Sequence, residues 1–349
     1  MRKIVRLIVA ALFYYSGLVG LWSRKMQKQG PQLIILNYHR ASRGDLRRQM
    51  LYLSRYYRVM HLDEALEELY APPGQQSQSH DPRTAVVLTF DDGYCDNYTH
   101  AFKYACELHI PITLFLIPSY LDSGDYFWWG EGKRLVKHAT VATISLDGRT
   151  YQVQGTQKEQ KALTTSIDAH LRYAHSIAER DTFLVRIRQE LAVEPTRGVI
   201  ADDEDITVPL TWAQVREMQE SGWVSYGAHT MHHPVLSYIS DPGEVYAEIS
   251  NSREVLEERL GKKIRSFAYP IGRAEHIGDE AIKAVKKAGF SWAVTTHSGF
   301  ATPQNDPYLL ERTLTDASRH WLLLAAELSG IWSAFRFLWK PFVHEEENL

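Results

Sequence analysis

Only two of the 349 residues are cysteine, Cys95 and Cys106, which excludes a disulfide scaffold and every zinc site built on thiolates. On one shared helix, at about 1.5 Å rise per residue, the two would lie too far apart to bridge. An excess of one charge is also missing: 39 Lys and Arg face 42 Asp and Glu, a net charge of −3. No global positive field is available to hold a polyanion, so nucleic-acid binding is not expected. No glycine-rich phosphate loop follows an apolar run, which counts against nucleotide binding. Long apolar stretches are scarce too. The clearest, residues 7–22 (LIVAALFYYSGLVGLW), makes only about 24 Å of helix against a hydrocarbon core of roughly 30 Å.

That segment lies between Arg2, Lys3 and Arg6 on one side and Arg24, Lys25 and Lys28 on the other. It can span a bilayer only if Ile4, Val5 and snorkelling flanks are recruited. As a cleaved signal peptide it lacks an A-x-A-like site. Membrane contact of some kind is favoured over a buried helix, and residues 1–28 are read as a membrane-associating or signal-anchor segment. Equal charge on both flanks leaves orientation open. Near the other end Trp321, Leu324, Leu328, Trp332, Phe335 and Trp339 recur at helical spacing beside Arg336 and Lys340. Residues 316–349 therefore read as a C-terminal amphipathic helix, suited to core packing or to a membrane interface.

With 44% hydrophobic residues, the chain has the composition of a folded globular protein. Residues 33–39 (LIILNYH), 85–90 (AVVLTF) and 112–117 (ITLFLI) read as strands buried on both faces, as in parallel sheets. Amphipathic segments follow at 46–57, 94–109, 242–260 and 277–288. Asp241-Pro242 and Gly261 delimit one of these, and Thr211 to Gln214 opens another helix with a capping box. Such βα alternation leaves an open doubly wound sheet or a barrel. Residues 72–82 (PPGQQSQSHDP) read as a surface loop. Residues 119–209 are too long for a βα connection and form an insertion, with a hairpin turning at Asp147-Gly148 and a helical run over 157–191. Tyr126, Trp128 and Trp129 in it suit either sugar stacking or a small core of their own.

The chemistry-bearing residues gather at predicted strand ends, where parallel α/β folds place their sites. Thr89-Phe90-Asp91-Asp92-Gly93 puts two adjacent carboxylates there, and a cation would relieve their repulsion. Alone, Asp-Asp-Gly is a common turn. After another strand-like run comes His229-Thr230-Met231-His232-His233-Pro234, in which His229 and His233 can face one way while His232 points elsewhere. Two imidazoles and a carboxylate with an open coordination position make up a hydrolytic site of the zinc type.

TFDDG (89–93), HTMHHP (229–234) and FAYPIG (267–272), in this order, resemble the NodB-homology polysaccharide deacetylases, carbohydrate esterase family 4, over residues 33–314 apart from the insertion. The resemblance implies an α/β fold, a distorted (β/α) barrel formed by residues 29–118 and 210–315, and hydrolysis of an N-acyl group, usually N-acetyl, from an amino sugar. It also implies a divalent metal, Zn²⁺ being the expectation, held by Asp92, His229 and His233. Asp91 would be the general base. The Ile271 N–H would hold the oxyanion, with Tyr269 and Pro270 shaping its turn and, together with Arg273, expected to bind substrate.

Three departures accompany the match. Ala268 stands where many members carry the arginine that partners the catalytic aspartate, and Arg273 is a weak substitute. The Asp and Trp of the fourth motif are not recognisable in residues 290–300. The Leu-x-His of the fifth is absent from 309–315, which removes the usual general acid. His39 and His297, both at predicted strand ends, are candidates for it, although a structural role is favoured for each. Tyr-His pairs like Tyr38-His39 occur at this position in the envelope-polysaccharide branch of the family. The expected function is deacetylation of an envelope polysaccharide or lipid-linked glycan by a membrane-associated enzyme of the cell envelope. Its rivals are a carbohydrate-binding barrel without turnover and a hydrolase of a small soluble amide.

Overall fold

The computed structural model describes residues 2–27, 30–42, 44–72, 81–193 and 207–334. Most of the loop expected at 72–82 and everything beyond 334, including Phe335, Arg336, Trp339 and Lys340, lie outside them.

The strands are β1 (Leu33–Tyr38), β2 (Arg58–Val59), β3 (Ala85–Phe90), β4 (Ile112–Leu116), β5 (Thr143–Leu146), β6 (Arg149–Gln152), β7 (Val224–Ala228), β8 (Ser266–Ala268), β9 (Trp292–Val294) and β10 (Thr313–Leu314). Eight of them build one curled sheet in the order β10-β1-β3-β4-β7-β8-β9, with β2 also on β3. Every pairing in it is parallel. The expected distorted (β/α) barrel is therefore the fold, and the parallel sheet explains the unbroken apolar runs: β1 and β4 are buried along their whole lengths. Each Leu, Ile or Val so buried contributes about 1.5–3 kcal/mol, which selects this register over any slipped one.

The helices are α1 (Arg2–Tyr15), α2 (Leu18–Gln27), α3 (Leu46–Tyr56), α4 (Leu62–Tyr70), α5 (Lys103–Leu108), α6 (Pro118–Ser123), α7 (Trp128–His138), α8 (Gln157–Arg172), α9 (Ile177–Glu190), α10 (Trp212–Glu220), α11 (Pro242–Leu260), α12 (Ala274–Ile277), α13 (Asp279–Lys287), α14 (Trp321–Leu328) and α15 (Ile331–Ala334). A π-helical turn, Asn97–Phe102, leads into α5. The signals read from sequence recur as contacts. Thr211 makes a reciprocal capping box with Gln214, and Asp241 caps α11, which Gly261 ends at φ 62°.

The insertion folds around its own core of Phe127, Trp128, Leu135, Ile144, Tyr151, Leu163, Ile167 and Ile187. Its hairpin β5–β6 turns at Asp147 and Gly148, both at positive φ (53° and 72°). The single helical run expected over 157–191 is two helices, because the Ser176 side chain accepts from the Glu179 N–H and starts α9 afresh. Of the two roles open to the C-terminal stripe, core packing is the one α14 takes over the described part. Leu322, Leu324, Ala325, Ala326 and Leu328 of α14 are buried, and Trp321 packs edge-on to Tyr14 of α1 at 4.9 Å between ring centroids. A helix apolar on nearly every side is core, Glu327 being its one charged residue and ion-paired with Arg319, and a turn at Ser329-Gly330 separates it from α15.

Candidate active site

The sheet places its carboxyl ends together, and the ladder continues one residue past each strand. Asp91 N donates to the Tyr38 carbonyl at 2.9 Å, and His229 N donates to the Leu116 carbonyl at 2.9 Å. Beyond those bonds the backbone turns sharply. Of the seven described non-glycine residues at positive φ, four belong to the three motif loops: Asp92 (73°), Thr230 (64°), His233 (54°) and Ile271 (62°). Side chains rarely tolerate this region, and its concentration here marks loops held by tertiary contacts.

Asp92, His229 and His233 offer ligand atoms that all lie within 4.8 Å of one another, and all three residues are buried. The Asp92 Oδ1 is 3.4 Å from His229 Nε2 and 3.5 Å from His233 Nε2. His229 Nδ1 is 2.7 Å from the Ala268 carbonyl. A carbonyl only accepts, so Nδ1 carries a proton and Nε2 is the ring atom turned toward Asp92, the orientation of a metal-ligating histidine. Against its burial, the neighbouring carboxylates Asp92 and Asp91 raise this imidazole above its ordinary value. The Asp92 Oδ1 is buried without a hydrogen-bond partner. Such an orphan is costly unless a cation completes it, so the donor set fits a divalent ion. Burial and the neighbouring His229 push the His233 imidazole down to about 3, leaving it neutral, as a ligand must be.

Asp91 is the other carboxylate of the pair and has no part in that triad. Its Oδ1 accepts from Arg312 NH1 at 2.8 Å, and its Oδ2 accepts from Arg312 NH2 and Asn37 Nδ2, each at 2.7 Å. Burial would raise this carboxyl. The Arg312 guanidinium, with lesser help from His229 and His39, outweighs it and holds the group well below the usual carboxylate range. Arg312 is itself fully buried, donates through Nε to the Thr295 carbonyl at 2.7 Å, and stands immediately before β10, whose Thr313 pairs with Leu36. Arg312 thus replaces the arginine missing at Ala268, and the expectation of Arg273 is corrected. Arg273 is exposed at the N-terminus of α12, whereas the fork to Asp91 comes from Arg312.

Both histidine candidates are exposed, and they separate by what they face. His39 follows β1 beside Asp91, its carbonyl accepts from Asn97 Nδ2 at 3.0 Å, and its charge acts on both Asp91 and Asp92. Buried Asp96 fixes the same loop by accepting from the Ala41 and Ser42 N–H groups at 3.0 and 3.1 Å. His297 is exposed, and its Nε2 accepts from the Ala274 N–H at 3.2 Å, a structural bond to α12. Tyr269 and Pro270 are buried. The Tyr269 hydroxyl donates to the Tyr308 carbonyl at 3.1 Å, so Tyr269 shapes the turn from behind. Thr296 Oγ1 donates to the Ile271 carbonyl at 2.8 Å and steadies that turn.

Sequence reasoning missed the fastenings of the histidine loop. Trp128 Nε1 donates to the His233 carbonyl at 2.8 Å, and Arg180 donates to the His232 carbonyl at 2.9 Å; both come from the insertion. Glu248 of α11 takes the His232 N–H at 2.9 Å and its Nδ1 at 2.6 Å, so His232 does point elsewhere. Trp129 lies 4.4 Å from the His233 ring. With Tyr126, Tyr94 and Arg40 it lines a cavity of about 680 Å³ beside the site, and Trp128 belongs to the insertion core.

A parallel half-barrel with a carboxylate–diimidazole cluster and a separately tethered aspartate defines a class of hydrolytic site. The sequence model of the polysaccharide deacetylases matches residues 78–293, and the chain belongs to that family. Over 112 residues it is 32% identical to the poly-beta-1,6-N-acetyl-D-glucosamine N-deacetylase of Staphylococcus epidermidis, a match covering 30% of this chain and 38% of that protein. The chain thus spans little more than a third of the curated relatives it matches. The Streptococcus pyogenes deacetylase PplD, solved in complex with acetate, superposes with a TM-score of 0.55 at 17% identity, covering 84% of this chain and 97% of that one. IcaB from Ammonifex degensii gives 0.53 at 20%, covering 86% and 98%. At these identities the structures establish the shared fold.

Proposed function

We propose that the protein is a metal-dependent N-deacetylase that removes an acetyl group from an amino sugar of a cell-envelope polysaccharide or lipid-linked glycan, acting at a membrane. The observation that carries this reading is the division of labour between adjacent carboxylates: Asp92 faces the ring nitrogens of two imidazoles, whereas Asp91 is held apart by Arg312 and Asn37. The named substrate of the Staphylococcus epidermidis relative supports the choice of N-acetylglucosamine polymers.

Asp92, His229 and His233 would hold the ion, for which nitrogen and oxygen donors with an open position favour Zn²⁺. When bound, it supplies Lewis acidity toward the amide carbonyl and lowers the pKa of water at the site. Asp91, ionised by Arg312, takes a proton from the attacking water. The Ile271 N–H is our assigned donor to the developing oxyanion. As the C–N bond breaks, His39 delivers a proton to the leaving nitrogen, so the products are acetate and the sugar amine.

The test is acetate release from β-1,6-linked N-acetylglucosamine oligomers by the purified chain, with loss on chelation and recovery on Zn²⁺ addition. His229→Ala and His233→Ala should each abolish stoichiometric metal. Full metal content in both variants would remove the triad from this role, and binding without acetate release would favour a sugar-binding barrel.

A further inference from the structure

The first two helices are apolar on more than one side, and the barrel uses only one of them. Ala10 is buried, and Leu7, Ala11, Phe13 and Tyr14 pack with it against Leu322, Ala326 and Ile331. The Tyr14 hydroxyl meets that of Tyr56 at 3.0 Å. This face needs no other partner. The opposite face carries Ile4, Ile8, Leu12 and Tyr15, which are 64%, 54%, 62% and 75% exposed, and α2 adds Leu21 at 60%. The spacing of 4, 8, 12 and 15 keeps the stripe on one side of α1. With Val5, these make six of the eleven exposed large hydrophobic residues in the described chain, so the stripe is a local concentration and not ordinary scatter.

Charge says what covers it. The first acidic residue is Asp45, and the 44 residues before it carry only cations: Arg2, Lys3, Arg6, Arg24, Lys25, Lys28, Arg40 and Arg43. Lys3, Arg24 and Lys25 are exposed beside the stripe, and Lys25 sits 5.1 Å from the Trp22 ring centroid. Apolar side chains rimmed by cations and Trp match the boundary between acyl chains and anionic headgroups. A spanning arrangement fits less well. No single described helix is long and apolar enough to cross, and the two helices bend by 76° where they meet. One side of α1 is moreover committed to α14.

We propose that α1 and α2 form an in-plane docking face for an anionic lipid surface, with Ile4, Ile8, Leu12, Tyr15 and Leu21 entering the acyl boundary while the inner face of α1 stays on the barrel. This deepens the membrane association proposed above. It is read without substrate, so its failure and that of the deacetylase reading are separable.

The experiment is flotation of the full chain with vesicles of phosphatidylcholine alone or of equal phosphatidylcholine and phosphatidylglycerol. Binding should favour the anionic vesicles. Ile8→Ser with Leu12→Ser should weaken it by roughly tenfold or more per residue, with melting temperature and metal content unaltered because both side chains point outward. Ile4→Ser with Leu21→Ser checks the same face from both helices. Arg24→Gln with Lys25→Gln should cost about fivefold per charge on the anionic vesicles. The proposal is overturned if the wild-type chain floats with neither vesicle, or if both serine pairs bind as well as it does. Dissociation of a wild-type dimer by the serine pairs, without vesicle binding, would assign the stripe to a second copy of the chain. A large fall in melting temperature in both pairs would assign it to internal packing.

Discussion

Arg312 and Asp91 face each other fork to fork, with NH1–Oδ1 at 2.8 Å and NH2–Oδ2 at 2.7 Å and both side chains withdrawn from water. Removing one member leaves the other as an uncompensated buried charge. Arg312→Ala should therefore cost about 3–5 kcal/mol of stability and most of the turnover. Arg312→Lys should restore little, since an ammonium cannot make two parallel bonds. Thermal unfolding and acetate release measure both effects, and wild-type turnover in the lysine variant would show that the fork is dispensable.

The adjacent carboxylates should give opposite metal phenotypes. Asp91→Asn keeps a side chain of the same size beside Asn37 and leaves the triad untouched, so metal content should remain stoichiometric while turnover falls by about 10² or more. Asp92→Ala should lose metal and turnover together. Metal analysis beside single-turnover assays distinguishes them, and a reversal of the two phenotypes would exchange the roles assigned here.

The insertion should be felt at the metal. Trp128→Phe keeps an aromatic ring in the insertion core but removes the N–H held by the His233 carbonyl, and Arg180→Met removes the donor to the His232 carbonyl. Outer contacts of this kind commonly alter metal affinity by about 10–100-fold. Competition with a chromophoric chelator should show a loss of that order in each variant. Unchanged affinity in both would leave the insertion without influence on the site.

A pH effect on stability should come from Asp168 on α8. Burial raises its carboxyl to about 6, against a smaller opposing bond from the Gly132 N–H. The folded value exceeds the unfolded one, so the folded state holds the extra proton between about pH 4 and pH 6, and stability falls as pH rises through that window. Partial exposure limits the effect to about 1 kcal/mol. Asp168→Asn should remove this component and melt above the wild type at pH 8 but not at pH 4. Identical pH profiles of melting temperature would refute the assignment.

The parts of the site contributed by contiguous motifs are legible in the sequence alone. Asp91-Asp92 and His229–His233 carry their chemistry in residue type and spacing, and buried parallel strands announce themselves as unbroken apolar runs. Arg312 was not legible, because its link to Asp91 crosses 221 positions and depends on β10 closing beside β1. Nothing in LLERTLT distinguishes a buried arginine from a solvated one. Asp96 and Asn97 lay within reach, since TFDDGYCDN holds a third carboxylate one helical turn past the pair. The fastenings from Trp128 and Arg180 end on backbone carbonyls, which have no sequence signature. The apolar periodicity around Trp321 was visible, but periodicity does not say whether a helix meets lipid or the barrel. The packing of Tyr14 on Trp321 decides that for α14.

The strands that flank the insertion, β4 and β7, are direct neighbours, paired from Ile112↔Val224 to Leu116↔Ala228. Parallel strands need a crossover, which α10 supplies with Val215 and Met218 in the barrel core, but backbone topology treats residues 119–209 before it as an exchangeable cassette: it could be shortened, lengthened or replaced and the sheet would still close. Metal chemistry imposes a stricter rule, because the cassette supplies two of the side chains that grip the 229–234 loop. Segment and loop have to be inherited as a pair. A chimera that trades one without the other should fold and yet hold its ion poorly, so divergence here is constrained by coordination geometry where connectivity alone would have left it unrestricted.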